Sequence, residues 1–165
     1  MTPKKERRII LVSACLLGLP TRYDGTANPD PEVLHMAKDP DVLVIPICPE
    51  QLGGLPTPRE PCHFVKGDGA RVWAGKARVH GIHSGEDRTE FFLRGAKAVA
   101  DLAQTLGVQE AYLKERSPSC GVHQVYIEGE LRPGMGITTA VLKKLHIRVY
   151  PREGQRVKSS GEEKK

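Results

Sequence analysis

The chain has no run of about 18 apolar residues, the minimum for a membrane-spanning helix. No membrane role is expected. Aromatic residues make up only 5% of its 165 positions, with a single tryptophan. No stacking stripe for single-stranded nucleic acid can be read from them. There is no CxxC pair, which excludes a zinc ribbon and a thioredoxin-type motif. No internal repeat is visible. The N-terminal MTPKKERR precedes an apolar IILVSACLLG stretch that lacks a small-residue cleavage site and reads as a buried strand. With no secretory leader read there, a reducing, cytoplasmic setting is expected, and the four cysteines are read as free thiols.

What is present is a globular composition, 39% hydrophobic and 27% charged, of a length that suits one domain. The net charge of +5 suggests nucleic acid until it is located. Residues 1–8 hold four basic and one acidic group, and residues 152–165 hold five basic and three acidic. The body between them is neutral, so a basic groove built into the fold is not implied. Three segments are expected: a basic N-terminal end over 1–8, one domain over 9–150, and a disordered polar tail over 151–165.

Arg8 to Ala14 is a continuous apolar run, as in a parallel strand buried on both faces. Asp30-Pro31 predicts a helix through Lys38, capped by Asp30. Asp41 to Ile47 is a second strand. Residues 48–70 are dense in glycine and proline and are expected to be irregular; residues 70–79 read as short strands. Ser84 to Leu106 carries an apolar stripe at helical spacing, with Ser84 as cap and Gly107 as stop. Val108 to Leu113 is a third strand and Ser117–Gly121 a turn. Val122 to Leu131 reads as a hairpin with Glu128-Gly129 at its tip. Thr138 to Leu145 is a helix and His146 to Tyr150 a last strand. Strands alternating with helices predict a single α/β domain with an open, mostly parallel, Rossmann-like sheet flanked by helices.

Three cysteines fall where such a sheet places its ligand. Cys15 follows the first strand, Cys48 follows the second, and Cys120 lies in the turn after the third. Ligands bind beyond the carboxyl ends of the strands, so a site is expected at that edge. Each cysteine is otherwise a small buried hydrophobe. Converging thiolates with no histidine nearby suit a soft metal or an iron–sulfur cluster, and a cubane on three cysteines leaves one iron open. Cys62, in the proline-rich loop, matches no strand exit.

Other candidates surround these positions. Glu50, two residues after Cys48, is either a general base for water or a surface carboxylate. Ser117 and Ser119 either donate to a substrate or satisfy the turn. Lys114, at its strand's end, points to the same edge. Arg59 and Lys66 either bind an anion or are solvated. Gly134-Met135-Gly136 with Thr138, before a helix, has the form of an anion nest. His80 and His83 form an HxxH pair read as exposed loop.

The segments SACLLG (13–18), RYDG (22–25), CPEQLGGLPTPREP (48–61), GDG (67–69), GKARV (75–79), LKERSPSCG (113–121) and GMGITTAVL (134–142) together resemble the family long called domain of unknown function 523 (DUF523), the TudS-type thiouracil desulfidases. The likeness runs from about residue 9 to 150. It implies a [4Fe-4S] cluster on Cys15, Cys48 and Cys120. It also implies removal of sulfur from a thiolated uracil base or nucleotide, with release of sulfide. The family's catalytic glutamate and serine match Glu50 and Ser117, and Lys114 is expected to assist. Arg59, Ser119, Gly136 and Thr138 are expected at the substrate. Members often carry a cysteine where this chain has Thr21, and a basic residue where it has Asn28.

The expected substrate is a small thiolated nucleobase or nucleotide, with nucleic acid entering only as thiolated tRNA, and the expected state is a monomer. The competing reading is a non-catalytic cysteine site that binds zinc or an iron–sulfur cluster for structure or sensing.

Overall fold

The computed structural model describes residues 6–155. Strand β1 (Arg8–Ser13) leads through one 3-10 turn (Ala14–Leu17) into helix α1 (Pro31–Ala37) and strand β2 (Val42–Ile47). Asp30 caps α1, its Oδ1 accepting N–H bonds from Glu32 and Val33 at 3.0 and 3.1 Å. Next come α2 (Pro49–Leu52), β3 (Cys62–Val65), α3 (Gly69–Trp73), β4 (Arg78–Gly81) and the long α4 (Thr89–Leu106). The chain closes with β5 (Glu110–Lys114), the hairpin β6 (Gln124–Ile127) and β7 (Glu130–Pro133), α5 (Ile137–Lys144) and β8 (Arg148–Arg152).

Two sheets result. The first is wholly parallel, in the order β2-β1-β5-β8. The second is mixed, in the order β4-β3-β6-β7, with β3 and β6 parallel and both flanking pairs antiparallel. The parallel sheet is the expected one, doubly wound. On one face Ile10, Val12 and Leu16 pack against Val33 of α1. On the other, Leu11, Ala111 and Leu113 pack against Val99 and Ala103 of α4 and Leu142 of α5. Successive strand residues face opposite helical layers, which is why the strand sequence has no polar alternation. Helix α4 also turns Phe92, Ala96 and Ala100 toward Phe64, Val79 and Val125 of the second sheet. One helix is therefore shared by both cores.

The second sheet departs from the sequence expectation. Residues 48–70 contain α2, β3 and the start of α3. These elements are too short to show periodicity, and tertiary packing decides them. Residues 70–79 form most of α3 and the start of β4, rather than the expected short strands. Asp68 caps α3 by accepting from Arg71 N at 3.4 Å. Helix α4 begins at Thr89, because Ser84 is engaged elsewhere, donating its hydroxyl to Glu60 Oε1 and its N–H to Oε2 at 2.9 Å.

The body also extends past residue 150, correcting the expected tail. Strand β8 continues to Arg152, whose guanidinium grips Asp30 at 3.0 and 3.1 Å. Gly154 N then donates to Asp30 Oδ2 at 3.3 Å and Gln155 N to Pro29 O at 2.8 Å. Polar residues there pair with a buried carboxylate rather than with water. Residues 1–5 and 156–165, the rest of the two expected ends, lie outside the described residues.

Candidate active site

Strands β1, β2 and β5 are neighbours in the parallel sheet, and their carboxyl ends open onto one cavity of about 580 Å³. Cys15 in the 3-10 turn, Cys48 just before α2, and Cys120 in the turn after β5 all line it. All three are free thiols. Cys15 is 8% and Cys120 4% exposed. Burial pushes the Cys15 thiol up to about 11, against the pull of Lys114. Burial likewise raises Cys48 and Cys120, and the three sulfurs repel one another's negative charge. The Ser13 hydroxyl bonds Cys120 and favours its thiolate.

The donor set fits an iron–sulfur cubane. Three soft ligands come from three separate loops and wall a space of nucleotide size, open on one side. Among the described residues, no three histidine, cysteine or acidic side chains crowd around a single point.

Glu50 lines the same cavity from the first turn of α2. Both its oxygens are held: Arg59 Nε donates to Oε1 at 2.9 Å and Ser119 Oγ to Oε2 at 3.2 Å. Helix α2 can present it because glycines let α2 lie directly on α4. A Cβ on Gly53 would stand 1.9 Å from Phe91 O, and one on Gly95 1.8 Å from Pro49 O. Ser117 also lines the cavity. Its Oγ accepts the N–H groups of Ser119 and Cys120 at 3.1 Å each. Among the described residues its own hydroxyl proton has no acceptor, so it can be offered to a bound molecule. Lys114 stands on the wall, its Nζ donating to Glu115 O at 3.1 Å. Burial, helped by Arg116, lowers its pKa below the ordinary lysine range.

Of the four expected substrate contacts, Arg59 lines the cavity, with its donors directed at protein acceptors; the other three are placed differently. Ser119, 1% exposed, stands behind Glu50 and does not line the cavity. The Gly136–Thr138 turn is no anion nest. Gly136 N donates to Gly121 O at 2.8 Å, Ile137 N to Pro118 O at 2.9 Å and Thr138 N to Ser119 O at 3.0 Å. The carbonyls of the cysteine turn thus already fill the place of an anion. A Cβ on Gly136 would lie 2.4 Å from Ser119 O, so this glycine serves a backbone-on-backbone contact that holds Cys120. Thr138 Oγ1 is buried without a partner.

Several site residues were not singled out from the sequence, though Arg22, Tyr23, Glu115 and Arg116 lie in motifs quoted above and His83 was read only as exposed loop. Glu115, 5% exposed, accepts N–H bonds from Val122, His123 and Gln124 at 2.7, 3.0 and 3.1 Å and organises the turn carrying Cys120. Burial alone would raise its pKa; these backbone donors bring it down. Arg22, Tyr23, His83, Arg116 and Tyr126 line the cavity from loops and from the second sheet. Cys62 lines it too, opening β3 rather than lying in a loop, its thiol pushed up to about 12 by burial and by Glu50. Its S–H donates to Glu60 O at 3.7 Å. No helix among the described residues is long and apolar enough to cross a membrane.

Comparison with known proteins shows the family and the fold. A solved structure described as a [4Fe-4S]-dependent thiouracil desulfidase, TudS, is 37% identical and superposes with a TM-score of 0.74, covering 88% of this chain and 91% of that one. An uncharacterized protein of Bacillus subtilis (strain 168), YbbK, is 37% identical over 144 residues, 86% of this chain and 93% of its own length. The 2-thiouracil desulfurase family model matches residues 10–154. The chain belongs to the 2-thiouracil desulfurase family.

Proposed function

We propose that this protein is a [4Fe-4S]-dependent desulfidase that hydrolyses the C=S group of a thiolated uracil base or nucleotide. The observation that carries this reading is the convergence of three free thiols and a doubly anchored carboxylate on one cavity. Cys15, Cys48 and Cys120 would hold the cluster, which would supply Lewis acidity toward a soft thione sulfur. The likeness to a desulfidase described as [4Fe-4S]-dependent supports the same assignment.

The chain's own groups do the rest. Glu50 takes a proton from water, and the water oxygen forms a bond to the ring carbon. Ser117 offers its hydroxyl proton to the substrate, and Lys114 holds positive charge on the same wall. In sum the C=S and one water become C=O and hydrogen sulfide, and no electron changes hands. The cavity volume suits a nucleotide. Arg22, Lys114 and Arg116 line it with positive charge, which suits a substrate phosphate.

The test is anaerobic purification followed by assay on thiouracil, thiouridine and thiouridine monophosphate. A brown protein with about four irons per chain and sulfide release supports the reading. Cys15→Ala, Cys48→Ala and Cys120→Ala should each lose iron, whereas Cys62→Ala should keep it. A colourless zinc protein would favour a structural cysteine site. A Glu50→Ala protein that keeps both its iron and its full rate would remove Glu50 from the reaction.

A further inference from the structure

Arg59 has a bonding pattern that a surface cation lacks. A guanidinium has five N–H donors, and here each faces an internal acceptor. Nε meets Glu50 Oε1 at 2.9 Å. Nη1 meets Thr57 Oγ1 at 2.8 Å and Pro56 O at 3.3 Å. Nη2 meets Thr21 O at 2.9 Å and faces Cys48 Sγ at 4.0 Å. The side chain is 6% exposed. Its main chain is tied as well, Arg59 N donating to Tyr23 O at 2.7 Å. Arg59 lines the cavity, yet four of its five donors lie within 3.3 Å of protein acceptors and the fifth is turned toward the Cys48 sulfur. The guanidinium instead joins the Cys48–Glu50 segment to the loops around Thr21 and Thr57.

We propose that Arg59 is the positioning residue that fixes the Glu50 carboxylate relative to the Cys48 sulfur, and that it does not bind substrate. This rests on the reading of Glu50 as the group that activates water. Ser119 holds the other carboxylate oxygen, so Glu50 is gripped at two points and can aim its remaining lone pairs into the cavity. Only a planar fork meets acceptors in these directions; a lysine ammonium would satisfy one or two of them. The N–H facing Cys48 also places a donor beside a ligand sulfur, a position that tunes a bound cluster.

The experiment compares Arg59→Ala, Arg59→Lys, Glu50→Gln and the Arg59→Ala/Glu50→Gln double variant, each reconstituted anaerobically and assayed on 4-thiouracil. In Arg59→Ala, kcat is expected to fall about 100-fold while KM stays within about threefold. Millimolar guanidinium should restore kcat in Arg59→Ala and do nothing for Glu50→Gln. The double variant should be no slower than Glu50→Gln alone, since both changes remove one function. Independently of turnover, the reduction potential of the cluster should shift in Arg59→Ala and return with guanidinium. A KM raised about tenfold or more with kcat retained would assign Arg59 to substrate and overturn the proposal. So would an iron-loaded Arg59→Ala that guanidinium fails to rescue. If Arg59→Ala takes up no iron, Arg59→Lys decides by the same split of kcat against KM. A fully active Glu50→Gln would overturn the Glu50 reading itself. An inactive Glu50→Gln beside a fully active Arg59→Ala would overturn only the positioning role.

Discussion

Gly95 of α4 faces Pro49 of α2 so closely that a Cβ on Gly95 would lie 1.8 Å from the Pro49 carbonyl oxygen. The obstacle is backbone, which cannot rotate aside. Gly95→Ala must therefore push α2, and with it Cys48 and Glu50, away from the cavity. Such overpacking costs about 1–3 kcal/mol, and misplacing the base by about 1 Å lowers kcat by about 100-fold. Thermal melts and kcat on the loaded enzyme check both. Lys97→Ala, on the exposed face of the same helix, should change stability by less than about 0.5 kcal/mol and leave kcat intact.

Gly136 and Thr138 make a paired test of the turn behind Cys120. A Cβ at Gly136 meets the Ser119 carbonyl carbon and oxygen at 2.4 Å. Gly136→Ala should displace the cysteine turn and lower iron uptake, read as iron per chain after reconstitution. Thr138→Val removes only an unpartnered buried hydroxyl. It should keep full activity with a stability change within about 1 kcal/mol. Lost substrate affinity in Thr138→Val would restore this residue to the substrate site.

Glu115 gathers the backbone of the same turn. Glu115→Gln puts an amide donor among N–H groups that need an acceptor. The expected cost is about 2 kcal/mol, measured as a lower denaturation midpoint with unchanged slope. Iron uptake should fall with it, because the bonds lost are those that shape the loop carrying Cys120.

Acid should loosen the cavity rim before it unfolds the core. Hydrogen bonds from Ser84 and then His83 hold the Glu60 carboxyl down to about 2, and Glu60 in turn pins the loop with Ile82 and His83 to the cavity. For Asp87, burial pulls upward, but bonds from Arg78 and Thr89 prevail and bring it to about 2. Carboxyls depressed in the folded state stabilise it above their unfolded value of about 4. That contribution is lost as pH falls from about 4 toward 2. Unfolding measured across this range should show the decline, and Glu60→Gln should flatten it.

The parallel sheet was legible chiefly from β1, which is buried on both faces and reads as the unbroken apolar run RIILVSA. The cysteines were legible because each follows such a run, so topology alone brings them to one edge. The second sheet was not. Strands β3 and β4 have four residues each and take their conformation from Phe92, Ala96 and Val125 across the core. The bonding of Arg59 was hidden for a related reason: a charge in a proline-rich loop reads as solvated or anion-binding, and nothing local shows the internal acceptors around it. Gly136 shows the same limit, since a glycine before a helix looks alike whether it faces a phosphate or another backbone. Cys62 was set aside for want of a strand exit, yet the second sheet carries it to the cavity wall.

The strand order has a consequence for how the site is born. Strand β1 lies between β2 and β5, so Cys15 and Cys48 can meet as soon as the first βαβ unit closes. Cys120 arrives only after α4 has been made and β5 has docked on the opposite side. A growing chain therefore carries two of the three thiols, on neighbouring strands, before the third is made.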